Sequence, residues 1–207
     1  MKRIVLTVLF SLALPIAAFA GNVDFTNTGG TLAGSSAGLS LTGSELTDVN
    51  GFSGMGLIQG ALGTLSLTTG TLASGSLNAM PGSIATFSSA GSSFVITSNG
   101  SYGLPAGTLF SGTFTGTIDW VPSYCSANGS VCYTLTGSVS GTWYNGMHVA
   151  GATSQITFKT SKTGFMGSAS LASGDTTIST VPEPGTLGLL GTGLVGLAGA
   201  IRRKLKV

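Results

Sequence analysis

The sequence predicts an all-β protein: an antiparallel, β-sandwich-like single domain over residues 21–180, between an N-terminal signal peptide and a C-terminal transmembrane helix. Three observations lead there. Short alternating runs of β-branched and aromatic residues recur between Gly or Asn-Gly punctuation, the pattern of short strands joined by turns. Helix formers are sparse in the same stretch, where Gly, Ser and Thr dominate. Apolar runs flanked by basic residues stand at the two ends of the chain.

At the N-terminus, Met1-Lys2-Arg3 precedes an apolar run from Ile4 to Leu14, and Ala18-Phe19-Ala20 before Gly21 supplies a small-x-small cleavage site. That layout is a secretory signal peptide over residues 1–20, not a first transmembrane helix, and it places the body outside the cytoplasm. The body is long enough for one domain with its own core. Charged residues make up 7% of the chain, and six of its eight Lys and Arg lie in the two end segments. Within 21–180 the bases are Lys159 and Lys162 and the acids Asp24, Glu45, Asp48, Asp119 and Asp175, two against five, for a net charge of −3. No basic face is available to neutralise phosphates, which argues against a nucleic-acid partner. Ser and Thr supply the polar surface instead.

Strands are expected at Leu39 to Thr42, Leu62 to Leu72, Ala85 to Phe87, Ser92 to Ser98, Phe110 to Trp120, Tyr133 to Tyr144, Ala152 to Thr160 and Phe165 to Leu171. From Thr31 to Gly82 the alternation loosens, and that half reads as an irregular strand region. Asn128-Gly129 is a two-residue hairpin signal, so partners across it have numbers summing to 257. Cys125 then faces Cys132, Tyr124 faces Tyr133, Ile118 faces Val139, Phe114 faces Trp143, and Trp120 lies over Gly137. The aromatic set falls on one face, with Thr115, Thr117, Asp119, Ser138, Ser140 and Thr142 on the other. Asn145-Gly146 gives a second turn with sum 291, pairing Leu135 with Ile156, Tyr133 with Phe158 and Val139 with Ala152. The result is a three-stranded meander with one buried face, for which residues 31–104 would supply the opposing layer.

Cys125 and Cys132 are the only cysteines, are exported, and oppose each other across the first turn, so a disulfide is expected. A metal or redox pair has the wrong spacing and lacks partner ligands. Gly34-Ser35-Ser36-Ala37-Gly38 matches the nucleophile-elbow pattern G-x-S-x-G, but no helical pattern follows it. His148, the only histidine, is placed opposite Trp143 by the second turn. Asp48-Val49-Asn50-Gly51 is a fragment of a calcium loop without its remaining ligands and reads as a turn. Asn99-Gly100-Ser101 likewise reads as a turn. The body acids show no local spacing for paired-carboxylate catalysis. Tyr144 is the one meander aromatic left on the polar face, where it would suit sugar stacking. No catalytic residue, cofactor or metal is expected.

The tail begins with Val181-Pro182-Glu183-Pro184. Its two prolines forbid helix and central strand, leaving an extended, accessible segment. Gly185 to Ile201 is apolar and, as a helix, would reach about 26 Å, at the short end of a membrane span. Arg202, Arg203, Lys204 and Lys206 extend that reach by snorkelling and hold the cytoplasmic side. Pro-Glu-Pro, apolar run and basic cluster, in that order, resemble the PEP-CTERM sorting signal of Gram-negative envelopes. The resemblance covers about residues 181–207. It implies recognition by an exosortase of the inner membrane and cleavage near Pro182-Glu183-Pro184, after passage through the secretion machinery. It also implies a precursor held transiently at the inner membrane and a mature form at the cell surface or in an extracellular matrix. The reading that follows is a structural or adhesive protein associated with exopolysaccharide. The alternatives are a carbohydrate-binding module, marked by a row of exposed aromatics, and a serine hydrolase, marked by His148 beside a Ser and an acid.

Overall fold

The computed structural model describes residues 22–125, 130–160 and 164–179. The signal-peptide cleavage residues Ala18, Ala20 and Gly21, the Asn128-Gly129 turn and the tail from residue 180 lie outside the described residues. No helix among the described residues is long and apolar enough to cross a membrane.

The strands are β1 Asn22–Thr28, β2 Thr31–Ser35, β3 Gly38–Asn50, β4 Ile58–Thr68, β5 Leu72–Ser74, β6 Ala85–Phe87, β7 Ser93–Ser98, β8 Gly107–Tyr124, β9 Val131–Trp143, β10 His148–Lys159 and β11 Ser168–Ser179. All their pairings are antiparallel. β1 and β2 run in line between β3 and β11. β6 and β7 share one side of β8, and β5 and β4 lie in line against them. The strands thus form eight staves, each hydrogen-bonded to the next in sequence. The last pairs with the first, from Asn22 opposite Ser179 to Asn27 opposite Gly174. The architecture is a closed eight-stranded up-and-down barrel.

The all-β, antiparallel expectation holds, and the sandwich gives way to the barrel. Residues 31–104 do not form an opposing layer; they continue the same sheet. A sheet closed on itself buries its inner face against itself, so sandwich and barrel demand the same inward alternation. The stretch 31–82, expected to be irregular, contains the long regular strands β3 and β4. Its alternation is broken by register shifts after Leu41 and Leu46, which bulge the strand without ending it. The strand expected at Phe165 to Leu171 runs instead from Ser168 to Ser179, and β1 carried no expectation.

In the meander the second turn pairs as derived: Ala152 with Val139, Ile156 with Leu135, Phe158 with Tyr133. A shift between Val149 and Ala152 sets His148 opposite Thr142, not Trp143. Across β8 and β9 the sum is 255 near the cysteines and 253 beyond the bulge between Thr115 and Asp119, against the expected 257. Trp120 therefore meets Leu135 and Phe114 meets Val139. Both offsets are even numbers, so every side chain keeps the face assigned to it. The bulge adds two residues on β8, and Gly116 within it takes φ +72, where a Cβ would be strained. Tyr124, assigned inward, is the exception: it is 65% exposed although its partner Val131 is buried in the core.

An eight-stranded barrel leaves an interior just wide enough for side chains to fill, and here aromatics fill it. Phe94 meets Phe110 and Phe114 edge-on, and Trp143 packs among Phe25, Phe52 and Phe110. Two polar pairs share the interior: Asn27 donates to the Ser44 hydroxyl at 2.6 Å, and the Ser154 and Thr176 hydroxyls lie 3.2 Å apart. Because the staves alternate in direction, Asn22, Ser179 and loops 51–57, 99–106 and 144–147 gather at one rim, the terminal rim. The Ser36-Ala37 turn, loop 75–84, the cysteine pair and residues 164–167 gather at the other, the distal rim.

Candidate functional site

Each rim is closed by its own loops. At the distal rim the Trp120 and Tyr133 rings stack with centroids 4.6 Å apart. The Trp120 indole N–H donates to the Leu77 carbonyl at 3.1 Å, and the Tyr133 hydroxyl donates to the Ala79 carbonyl at 2.8 Å. The Phe165 N–H donates to the same hydroxyl at 3.3 Å. Burial pushes the Tyr133 phenol above its ordinary value of 10.0, partly offset by that Phe165 N–H. Gly164, with φ +80, lies against Asn78 and the Tyr133 hydroxyl, where no side chain fits. One buried tyrosine thus ties two loops over the barrel mouth. Beside it Cys125 and Cys132 form the expected disulfide, with Cα atoms 5.5 Å apart. Cys125 lies just past the last paired residue, and its N–H donates to the Ser130 carbonyl at 3.1 Å.

The terminal rim carries a repeated loop. Asn50-Gly51-Phe52-Ser53-Gly54-Met55 and Asn99-Gly100-Ser101-Tyr102-Gly103-Leu104 share the pattern Asn-Gly-x-x-Gly-apolar. Their backbones agree closely: Ser53 and Tyr102 take φ 49 and 56, and Met55 and Leu104 return to extended geometry at φ −70 and −71. The first loop buries Phe52 against Trp143 and Tyr144, with centroids 5.6 and 5.3 Å away. The second loop puts its aromatic one position later, at Tyr102, which is 66% exposed. The repeated pattern was visible in the sequence, but which of the two rings points outward was not.

The hydrolase residues do not converge. Ser36 sits in the tight turn between β2 and β3, a strand-turn-strand context without the helix that a nucleophile elbow needs. His148 opens β10 at the terminal rim, and Ser36 lies at the distal rim. Asp48-Val49-Asn50 ends β3, with Gly51 starting the loop, and the Asp48 carboxylate accepts from Gln59 at 2.6 Å. Among the described residues no three His, Cys, Asp or Glu could hold a metal ion. Closure does gather acids that lie far apart in sequence. Thr26 pairs with both Asp48 and Asp175 and donates to the latter at 3.1 Å, and Asp24 and Glu45 lie on the same wall. On that wall the bonds to Asp175 from Thr26 and to Asp48 from Gln59 are both exposed.

Tyr144 is not a ring on a flat polar face. It leans on Phe52 and Trp143 at the terminal rim, 41% exposed, with its hydroxyl 3.5 Å from Ser53 Oγ. The other exposed aromatics among the described residues are Tyr102 at the same rim and Tyr124 at the distal one. They form no row along the outer wall.

Residues 180–204 match the family model of the PEP-CTERM protein-sorting motif. The match contains Pro182, Glu183, Pro184, Arg202, Arg203 and Lys204, and Lys206 follows it. No curated protein and no solved structure matches the chain.

Proposed function

We propose that this PEP-CTERM-tailed protein is made with a cleavable signal peptide, held at the inner membrane by residues 185–201, and cut near Pro182-Glu183-Pro184 by an exosortase. The mature barrel then serves as a structural or adhesive component of the cell surface or of an exopolysaccharide matrix. One observation carries this reading: the sorting motif, matched over 180–204, begins where the barrel ends. Ser179 is the last strand residue among the described residues, and the barrel closes through β1 and β11 within the compact unit Asn22–Ser179, using none of the matched motif. A barrel whose closing pairs use none of residues 180–204 does not need them to hold its sheet together, which suits their removal by a membrane enzyme.

The matrix role draws support from surface chemistry. The barrel interior is filled by side chains, leaving the outer surface as the working part, and that surface is rich in Ser and Thr and poor in charge. Such a wall offers hydroxyl donors and acceptors to hydrated polysaccharide chains. A carbohydrate module relying on aromatic stacking would instead need the aromatic row that the described wall lacks. C-terminal mass spectrometry of protein secreted by its own host tests the processing step. The expected product ends near Pro184; recovery of intact Lys206-Val207 from secreted material would reject it. Co-sedimentation of the mature protein with the host's purified exopolysaccharide tests the matrix role.

A further inference from the structure

We propose that the terminal rim of the barrel rests on the bilayer surface while the tail anchors the precursor, with Leu57, Tyr102, Tyr144 and Met147 in the lipid headgroup layer. This rests on the tail being a membrane anchor, as proposed above. The first and last strand residues, Asn22 and Ser179, pair with each other at this rim. Only Thr180 to Pro184 separate Ser179 from the apolar run, five residues that reach at most about 17 Å when fully extended. The tether therefore holds this rim close to the headgroups.

The rim's chemistry fits that position. Leu57, Tyr102, Tyr144 and Met147 are 60, 66, 41 and 45% exposed. Loops 51–57, 99–106 and 144–147 contain no Asp, Glu, Lys or Arg, so lowering them into the headgroup layer desolvates no charge. Tyrosine rings, apolar with a polar tip, suit the membrane–water boundary. The distal rim also exposes apolar side chains, Met80, Ile84, Tyr124 and Met166. Apolarity alone does not choose between the rims; the tether does, by raising the effective concentration of lipid at one of them. The contact belongs to the anchored precursor and is lost when the tail is cut.

The test uses the full chain, tail and disulfide intact, in vesicles of phosphatidylethanolamine and phosphatidylglycerol. Nitroxide labels are placed at Tyr102→Cys or Met147→Cys on the terminal rim and at Ile84→Cys on the distal rim. Accessibility is read to a water-soluble nickel chelate and to lipid-soluble oxygen. The terminal-rim labels should lose nickel accessibility and gain oxygen accessibility, with Ile84→Cys remaining open to nickel. The pattern should persist in phosphatidylcholine alone, since the loops are uncharged. Vesicle-bound protein with equal accessibility at both rims overturns the proposal and leaves the anchor standing. Protection that requires anionic lipid overturns it as well. A chain that does not float with the vesicles overturns the anchor reading itself.

Discussion

Tyr133 closes the distal rim through a single hydroxyl, which makes it the sharpest residue-scale test. Tyr133→Phe keeps the stack on Trp120 but strands the Ala79 carbonyl and the Phe165 N–H, a loss of about 1–2 kcal/mol readable from a urea midpoint. Because burial raises the phenol's pKa, the unfolded chain ionises first as pH climbs. The tyrosine's contribution is complete below about pH 10 and is lost as pH rises through the folded value. Wild type should therefore lose stability above about pH 10 more steeply than Tyr133→Phe, and parallel curves would show that the phenol is not held neutral by the fold. A second contrast tests facing. Trp143 packs among four aromatic rings and Thr142 points outward, so Trp143→Ala should cost about 3–5 kcal/mol and Thr142→Ala no more than about 0.5. Equal losses would mean that β9 is buried on both sides. The facing of Trp143 was legible because strand side chains alternate strictly. The partners of Tyr133 were not, since the Ala79 carbonyl it bonds lies 54 residues away in a loop with no local signal for the contact.

At the scale of the element, β8 shows how a register can be misread while the faces are read correctly. The Asn-Gly signal and the aromatic alternation assigned the inward set, and each offset from the expected pairing is two residues or a multiple of it. Pairing sums come from the turn alone: the sum is already two short beside the cysteines, and the turn carries no information about the bulge further along, which takes off two more. The alternation in β8 stays continuous through Gly116, so the two extra residues left no mark on the hydrophobic pattern. The bulge makes a specific prediction. Deleting Thr117 alone would turn Ile118 and Trp120, both fully buried, toward solvent or force the strand to slip. Deleting Gly116 and Thr117 together preserves the facing. The single deletion should lose near-ultraviolet circular dichroism and cooperative unfolding, and the double deletion should fold with a loss of about 1–3 kcal/mol. If the double deletion were the more damaging, the bulge rather than the facing would govern this strand.

For the whole molecule, closure was the feature that sequence did not disclose. Each hairpin is a local event marked by turn residues, but the pairing of β11 with β1 joins segments about 150 residues apart, and no local pattern distinguishes a closed sheet from two packed ones. The tail was legible for the opposite reason: prolines, apolar run and basic cluster are contiguous, and the matched motif covers them. Seam and tail meet at Ser179, which sets the last prediction. Ending the chain after Pro184 removes nothing from the barrel, so the unfolding free energy of that shortened protein should match the parent within about 0.5 kcal/mol. Ending it after Thr176 deletes the residues that pair with Asn22, Val23 and Asp24 and takes the fully buried Ile178 out of the core. That truncation should cost about 2–5 kcal/mol. It should also expose two unpaired strand edges, visible as concentration-dependent aggregation in light scattering. If both chains unfold at the same denaturant concentration without aggregating, β1 and β11 are not joined in solution, and the sheet is open where the tail begins.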